Sequence, residues 1–290
     1  MTAVARRERG KAASSLNCSA LAAPSPPVLP PAAMLLHPAP APRSHAPADA
    51  ATPPLLSVVV PVRNEGANIR PLIGEIGAAL QGIHHEIVYV DDGSTDDTPA
   101  QLAAARAAAP GNLVLRRHRT SCGQSAAVVT GVRAAQGTFI ATLDGDGQND
   151  PADIPALLAR AQAADDPWLL VAGHRTRRRD TWTKRQTSRI ANRVRAALLR
   201  DATPDTGCGL KLFRRAAFAE LPCFDHMHRY LPALFMRAGG RVVSVPVNHR
   251  PRTRGRSNYG TLDRLWVGLF DLVGVAWLQR RWKRPEVEQP

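Results

Sequence analysis

Much that would classify this chain quickly is missing from it. Its four cysteines, Cys18, Cys122, Cys208 and Cys223, form no Cys-x-x-Cys pair and no metal-site spacing. That excludes a disulfide framework and a zinc finger, and the thiols are read as reduced. No Gly-x-Gly-x-x-Gly follows the first apolar run, which argues against a dinucleotide-binding domain. No Gly-x-x-x-x-Gly-Lys-Ser/Thr loop is present to cradle phosphates. Uninterrupted apolar stretches stop short of the roughly 20 residues that span a bilayer. Acid is also scarce: 24 Asp and Glu stand against 38 Lys and Arg, a formal net charge of +14. Such a balance points to an anionic partner, whether nucleic acid, an anionic membrane surface or a phosphorylated substrate. Aromatic residues, 5% of the chain, do not interleave with the arginine clusters as stacking on nucleic acid requires.

What is present is a chain of 290 residues, enough for one large α/β domain. Residues 1–54 are rich in Ala and Pro and cannot bury a core, so a disordered tail is expected. Prolines 24, 26, 27, 30 and 31 break any signal-peptide run, and Met34 is an alternative start. From Leu55 apolar strands alternate with helices. Strands are expected at 56–62, 86–90, 113–115, 139–143, 168–171, 209–213 and 241–247. Helices are expected at 69–80, from Thr98, and at 125–135, 154–163, 182–199, 229–238 and 262–278. This alternation predicts a mainly parallel sheet covered on both faces.

The most informative stretch is Asp144-Gly145-Asp146-Gly147-Gln148, directly after the strand 139–143. Two carboxylates one residue apart at the end of a buried strand suit a hard divalent cation that keeps positions open for substrate phosphates. An EF-hand is excluded, because its required Gly and Glu positions hold Asn149 and Pro155. Asp91 and Asp92 close the second strand, where they can accept hydrogen bonds from a base and a ribose. Ten cations lie within 173–200, opposed only by Asp180.

Five pieces, in order, resemble the family-2 glycosyltransferases of GT-A fold, nearest the dolichol-phosphate-mannose synthase-like branch and its bacterial polyprenyl-phosphate relatives. They are Val-Val-Pro-Val-Arg-Asn-Glu (59–65), Val-Asp-Asp-Gly-Ser-Thr-Asp-Asp-Thr (90–98), Asp-Gly-Asp-Gly-Gln-Asn-Asp-Pro (144–151), Asp-Thr-Gly-Cys-Gly-Leu-Lys (205–211) and Arg-Gly-Arg-Ser-Asn (254–258). The resemblance implies a GT-A domain over 55–260. Pro61, Glu65, Asp91 and Asp92 then line the nucleotide pocket. Asp144, Asp146 and Gln148 hold Mg2+ or Mn2+ and the donor pyrophosphate. Arg175, Lys184, Arg185 and Ser188 meet an acceptor phosphate, with Arg175 counted beside Asp144 and Asp146 as catalytic. Arg252, Arg254 and Ser257 close over the donor. Many relatives carry Lys where Asn258 stands, and Arg256 is the cation beside it.

The implied reaction moves a sugar, with inversion, from a UDP- or GDP-linked donor to undecaprenyl or dolichyl phosphate, a polyprenyl phosphate. An anionic acceptor needs positioning by arginines rather than a strong base. The rival is a carbohydrate hydroxyl acceptor, which needs a base, and Asp205 is its candidate. The segment 261–290 has an apolar face, two tryptophans at 266 and 277 and a basic end. It suits either a helix in a membrane interface or one packed on its own domain. A peripheral enzyme on the cytoplasmic face of the plasma membrane, with or without a membrane-protein partner, is the resulting expectation.

Overall fold

The computed structural model describes residues 52–108, 111–176, 195–196, 198–201, 203–251 and 263–281. The side chains of 263–267 and 269 are outside that description. The chain runs β1 (Leu56–Val62), α1 (Gly66–Ala79), β2 (His85–Asp91), α2 (Thr98–Ala108), β3 (Leu113–Arg117), α3 (Gln124–Ala134) and β4 (Phe139–Thr142). It continues through α4 (Ile154–Ala164), β5 (Leu169–Arg175), β6 (Lys211–Arg214), α5 (Arg215–Ala219), α6 (Leu231–Arg237), β7 (Arg241–Val247) and α7 (Asp263–Arg280). The disordered-tail expectation for 1–54 falls almost wholly outside the described residues.

The seven strands form one sheet in the order β3-β2-β1-β4-β6-β5-β7. Only β6 is antiparallel to its neighbours β4 and β5. A single short reversed strand carries no periodic signature, so the sequence suggested a strand there and not its direction. Strands β1, β2, β4 and β5 are buried almost throughout, as parallel strands covered on both faces are.

Helices cover both faces. One core gathers Leu56, Val58, Val60, Ile69, Ile76, Tyr89, Leu157 and Val171 under α1, α2 and α4. The other gathers Val59, Val88, Ile140, Phe213, Phe218, Leu234 and Phe235 under α3, α5 and α6. Alternate residues of β1 enter opposite cores, the period-two rule of a strand. Helix α5 was not expected, because its five residues, Arg-Ala-Ala-Phe-Ala, are too few to show a helical period. Only four residues of the expected helix 182–199 are described, at 195–196 and 198–199, and they are helical.

Connections from β1 lead outward to β2 and β3, and the chain then returns to place β4 on the other side of β1. The carboxyl ends of β1 and β4 therefore flank a topological switch point, where open α/β sheets bind ligands. The pairs Val62–Asp91 and Val59–Thr142 bring the loops after β1, β2 and β4 to one edge.

Helix α7 packs one face on the domain and leaves another outside. Leu272, Val275 and Ala276 are buried in the second core. Phe270, Val273 and Trp277, at i, i+3 and i+7, face outward and are 75%, 59% and 57% exposed.

Candidate active site

Asp144 and Asp146 emerge at the switch point, just after β4. Gly145 lets their loop lie against β1: a Cβ there would meet Val62 Cγ1 at 2.3 Å. Gly209, two residues before β6, does the same, since its Cβ would lie 2.1 Å from Asp144 Oδ2. The carboxylate of Asp144 accepts a hydrogen bond from Gln124 Nε2 at 2.8 Å. Burial first, and then the charge of Asp146, push the Asp144 carboxyl up, against the opposing pull of Lys211, Arg175 and Gln124. A buried acid crowded by a second acid is a site that a cation relieves. The donor set, two carboxylates and a neighbouring Gln148, is the oxygen-only chemistry that Mg2+ and Mn2+ take. Asp146 Oδ1 also accepts the Gln148 N–H at 3.1 Å, which fixes the turn.

Two residues to which the sequence assigned no role sit beside Asp144. Lys211, 3% exposed on β6, donates its ammonium to the Cys208 carbonyl. Burial pushes its amine down, while Cys208, Asp144 and Asp205 pull it back up. A lysine inside an otherwise apolar strand, Lys211-Leu212-Phe213, was the available signal. His228 is the other. It reaches the site from the turn before α6, and no local pattern marked it.

The remaining expected residues divide sharply. Asp92 accepts four hydrogen bonds from the protein: His118 Nδ1 at 2.7 Å, Ser121 Oγ at 2.7 Å, Cys122 N at 2.8 Å and Gly123 N at 2.9 Å. Burial raises its carboxyl, but these donors outweigh that and the net shift is downward. Asp91 accepts the Ser94 N–H at 2.9 Å and faces Arg117 Nε at 3.0 Å. Both carboxylates thus order loops that border the pocket. Asp92, His118 and Cys122 lie close enough together to suggest a metal group. However, His118 Nε2 is also engaged, 2.9 Å from Thr130 Oγ1, so both ring nitrogens and the carboxylate are already committed.

Glu65 takes a hydrogen bond from Asn68 Nδ2, and its own N–H is held by Thr98 Oγ1. Pro61 lines the small pocket beside Asp144. Arg175 Nε and Nη2 grip the two oxygens of Asp205 at 2.7 and 2.8 Å. Thirty residues separate them, so spacing gave no hint of this fork-to-fork pair. It holds the 205–208 turn over Asp144 and commits the Asp205 carboxylate. Gln148 meets the end of β7: its carbonyl accepts from Arg250 N at 2.9 Å, and Arg250 Nη2 reaches the Asn149 carbonyl at 3.0 Å. Lys184, Arg185, Ser188, Arg252, Arg254 and Ser257 lie outside the described residues, as do Arg256 and Asn258.

The family model described as Glycosyl transferase family 2 matches residues 57–221. A dodecaprenyl-phosphate galacturonate synthase of Rhizobium johnstonii is 33% identical over 236 residues, 79% of this chain and 69% of that protein. An undecaprenyl-phosphate 4-deoxy-4-formamido-L-arabinose transferase of an Enterobacter species is 35% identical over 221 residues, 75% of this chain and 66% of that protein. The chain thus spans about two thirds of the length of these relatives. Among solved structures, glucosyl-3-phosphoglycerate synthase from Mycobacterium tuberculosis in complex with Mn2+, UDP-glucose and phosphoglyceric acid superposes with a TM-score of 0.58 at 20% identity, over 78% of this chain and 79% of that one. A mannosyltransferase from Pyrobaculum calidifontis in complex with GDP-Man and Mn2+ gives 0.57 at 23% identity, over 80% and 66%. These likenesses show the fold to be GT-A.

Proposed function

From the premise that the chain belongs to glycosyl transferase family 2 and is a glycosyltransferase, we propose that it moves a sugar from a nucleoside diphosphate to a polyprenyl phosphate. The observation that carries this is the crowded Asp144–Asp146 pair at the switch point, set beside Arg175 and Lys211. Polyprenyl-phosphate sugar transferases among its relatives support the acceptor class.

Asp144, Asp146 and Gln148 are the residues that would hold Mg2+ or Mn2+. Bound there, the cation supplies charge neutralisation to a departing diphosphate. Everything else falls to the chain itself. Gln124 and the Cβ-free Gly209 fix the Asp144 carboxylate in place. The loops ordered by Asp91 and Asp92 wall the nucleotide, with Pro61 and Glu65 facing them. Arg252, Arg254 and Ser257 are assigned to the donor phosphates. Gln148 and Asn149 are stitched to Arg250, two residues before that segment.

The acceptor phosphate is anionic near neutral pH and attacks without losing a proton, so it needs no base. Asp205, the base that a hydroxyl acceptor would call for, is gripped by Arg175, which favours the phosphate reading. Arg175 offers its charge and the N–H groups that Asp205 leaves open. Lys184, Arg185 and Ser188 are assigned to the rest of the phosphate.

The enzyme works at a membrane surface in this reading. No helix among the described residues is long and apolar enough to cross a membrane. The outward stripe Phe270, Val273 and Trp277 instead suits shallow burial, with Arg280 and Arg281 placed for anionic headgroups. Arg281 already lies over the Trp277 ring, 5.9 Å from its centre.

The test is a panel of UDP- and GDP-sugars offered with undecaprenyl or dolichyl phosphate, in Mg2+ and in Mn2+. One nucleotide sugar should yield a lipid-linked monosaccharide with inverted anomeric configuration. Transfer to an oligosaccharide hydroxyl, with no lipid product, contradicts the proposal. On anionic vesicles, Phe270→Ser with Trp277→Ser should weaken co-sedimentation several-fold while the melting temperature holds. Unchanged binding removes the helix as the contact.

A further inference from the structure

His228 and Ser125 lie 103 residues apart and share two hydrogen bonds. The His228 backbone N–H donates to Ser125 Oγ at 3.2 Å, and Ser125 Oγ lies 2.7 Å from His228 Nδ1. With one lone pair taken by the backbone N–H, the hydroxyl is free to give its hydrogen to Nδ1, and in that tautomer the ring proton sits on Nε2. Burial first, then the nearby Lys211 and Arg229, push the imidazole down to about 3, so the ring is neutral in water at ordinary pH. Nε2 has no partner among the described residues, and the ring lines a pocket with Asp144, Gln124, Lys211 and Gly209.

The chemistry of that pocket is mixed. His228 offers a donor, Asp144 an acceptor, and Val128, Leu143 and Leu231 supply apolar walls. Its volume of about 20 Å³ is close to the space one water occupies. A sugar ring does not fit inside it, but one hydroxyl does. We propose that His228 is a specificity-determining residue of the donor-sugar subsite, its Nε2–H donating to a single hydroxyl of the transferred sugar that enters beside Asp144. The inference rests on the reading that the nucleotide sugar binds at Asp144 and Asp146. Ser125 is the positioning residue, acting through the ring orientation that its two hydrogen bonds hold.

A hydrogen bond made to a hydroxyl in a walled pocket discriminates strongly against an analogue lacking that hydroxyl, because the donor is left unpaired. The experiment uses the full chain with Mn2+, the probes UDP and GDP, and UDP-glucose, UDP-galacturonate and GDP-mannose with the monodeoxy analogue series of whichever is turned over. The wild type should reject one monodeoxy analogue on the order of 10²-fold in kcat/KM, the effect of one donor left unpaired. His228→Phe should lose activity with the parent sugar to about that extent and no longer distinguish that analogue. Its affinity for the free nucleoside diphosphate should stay within about threefold. His228→Gln, which places an N–H near the Nε2 position, should recover part of the discrimination, and Ser125→Ala should lose less than His228→Phe.

Equal loss of free-nucleotide affinity and of sugar discrimination in His228→Phe overturns the proposal. So does a His228→Phe enzyme that still rejects the same analogue. If His228→Phe fails to fold, the Ser125→Ala and His228→Gln profiles decide by the same criterion. Wild-type protein that binds neither UDP nor GDP with Mn2+ overturns the donor-site reading itself, a result distinguishable from the others.

Discussion

Two pairs of aspartates lie at or just past the ends of the two parallel strands that flank β1, and the protein treats them oppositely. At β2, Asp92 is saturated by four donors and its carboxyl is held below the usual range. At β4, Asp144 accepts one hydrogen bond from the described residues, faces a second carboxylate, and is pushed up. In sequence both look like acid at the end of a strand. The first pair is committed to ordering the loops beside the pocket, and the second is the pair proposed above to hold the cation.

The sharpest way to break this contrast is Asp146→Asn. Loss of one charge of the cation site should cost about 4 kcal/mol of transition-state stabilisation, on the order of a 10³-fold fall in kcat. Melting should shift by no more than about 2 °C. Turnover near wild type, at saturating Mg2+ or Mn2+, would place the second pair in the same class as the first.

The next effect is on stability. Asp92→Ala removes the acceptor for four donors, among them the Cys122 and Gly123 N–H groups. A loss of roughly 3 kcal/mol follows, a fall of roughly 6–12 °C in melting temperature for a domain of this size. A variant that melts like the wild type would show that the network is incidental. Its pH signature has a definite sign. The folded carboxyl lies below its unfolded value, so its contribution is present above about pH 4 and is lost as pH falls through the folded value. The Asp92→Ala curve should therefore be flatter on the acid side than the wild-type curve.

The smallest effect has the opposite sign. Asp144 is raised in the folded state, so its ionised form costs stability at neutral pH and that cost disappears as pH falls through the folded value. Asp144→Asn should therefore melt a few degrees higher than the metal-free wild type at neutral pH, as differential scanning calorimetry would register. Added Mn2+ should stabilise the wild type by mass action and leave Asp144→Asn unchanged.

The sequence made the strand ends legible because apolar runs stop where acid begins, at Val90 and at Leu143. Sequence order also carried the alternation of strands and helices. Pairing across the fold was less legible. Arg175 and Asp205 were expected to serve an acceptor phosphate and to be a candidate base, yet they bind each other. Asp92 was expected at a base or ribose, yet its lone pairs are filled by a turn 29–31 residues on. His228 and Ser125 belong to elements with no local reason to meet. Such contacts depend on how the sheet brings distant loops to one edge. The short reversed strand β6, which together with the turn before it brings Lys211 and Gly209 to Asp144, has no period long enough to show its direction.

Among the described residues, we propose the Asp144–Asp146 pair, and not the Asp92, His118 and Cys122 group, as the holder of a divalent cation. Mn2+ binding followed by electron paramagnetic resonance, without substrate, tests it in wild type, Asp146→Asn and Cys122→Ser. The account predicts one site in the wild type, its loss in Asp146→Asn, and wild-type binding in Cys122→Ser. Undiminished Mn2+ binding by Asp146→Asn, with loss in Cys122→Ser, would place the metal among Asp92, His118 and Cys122 and contradict it.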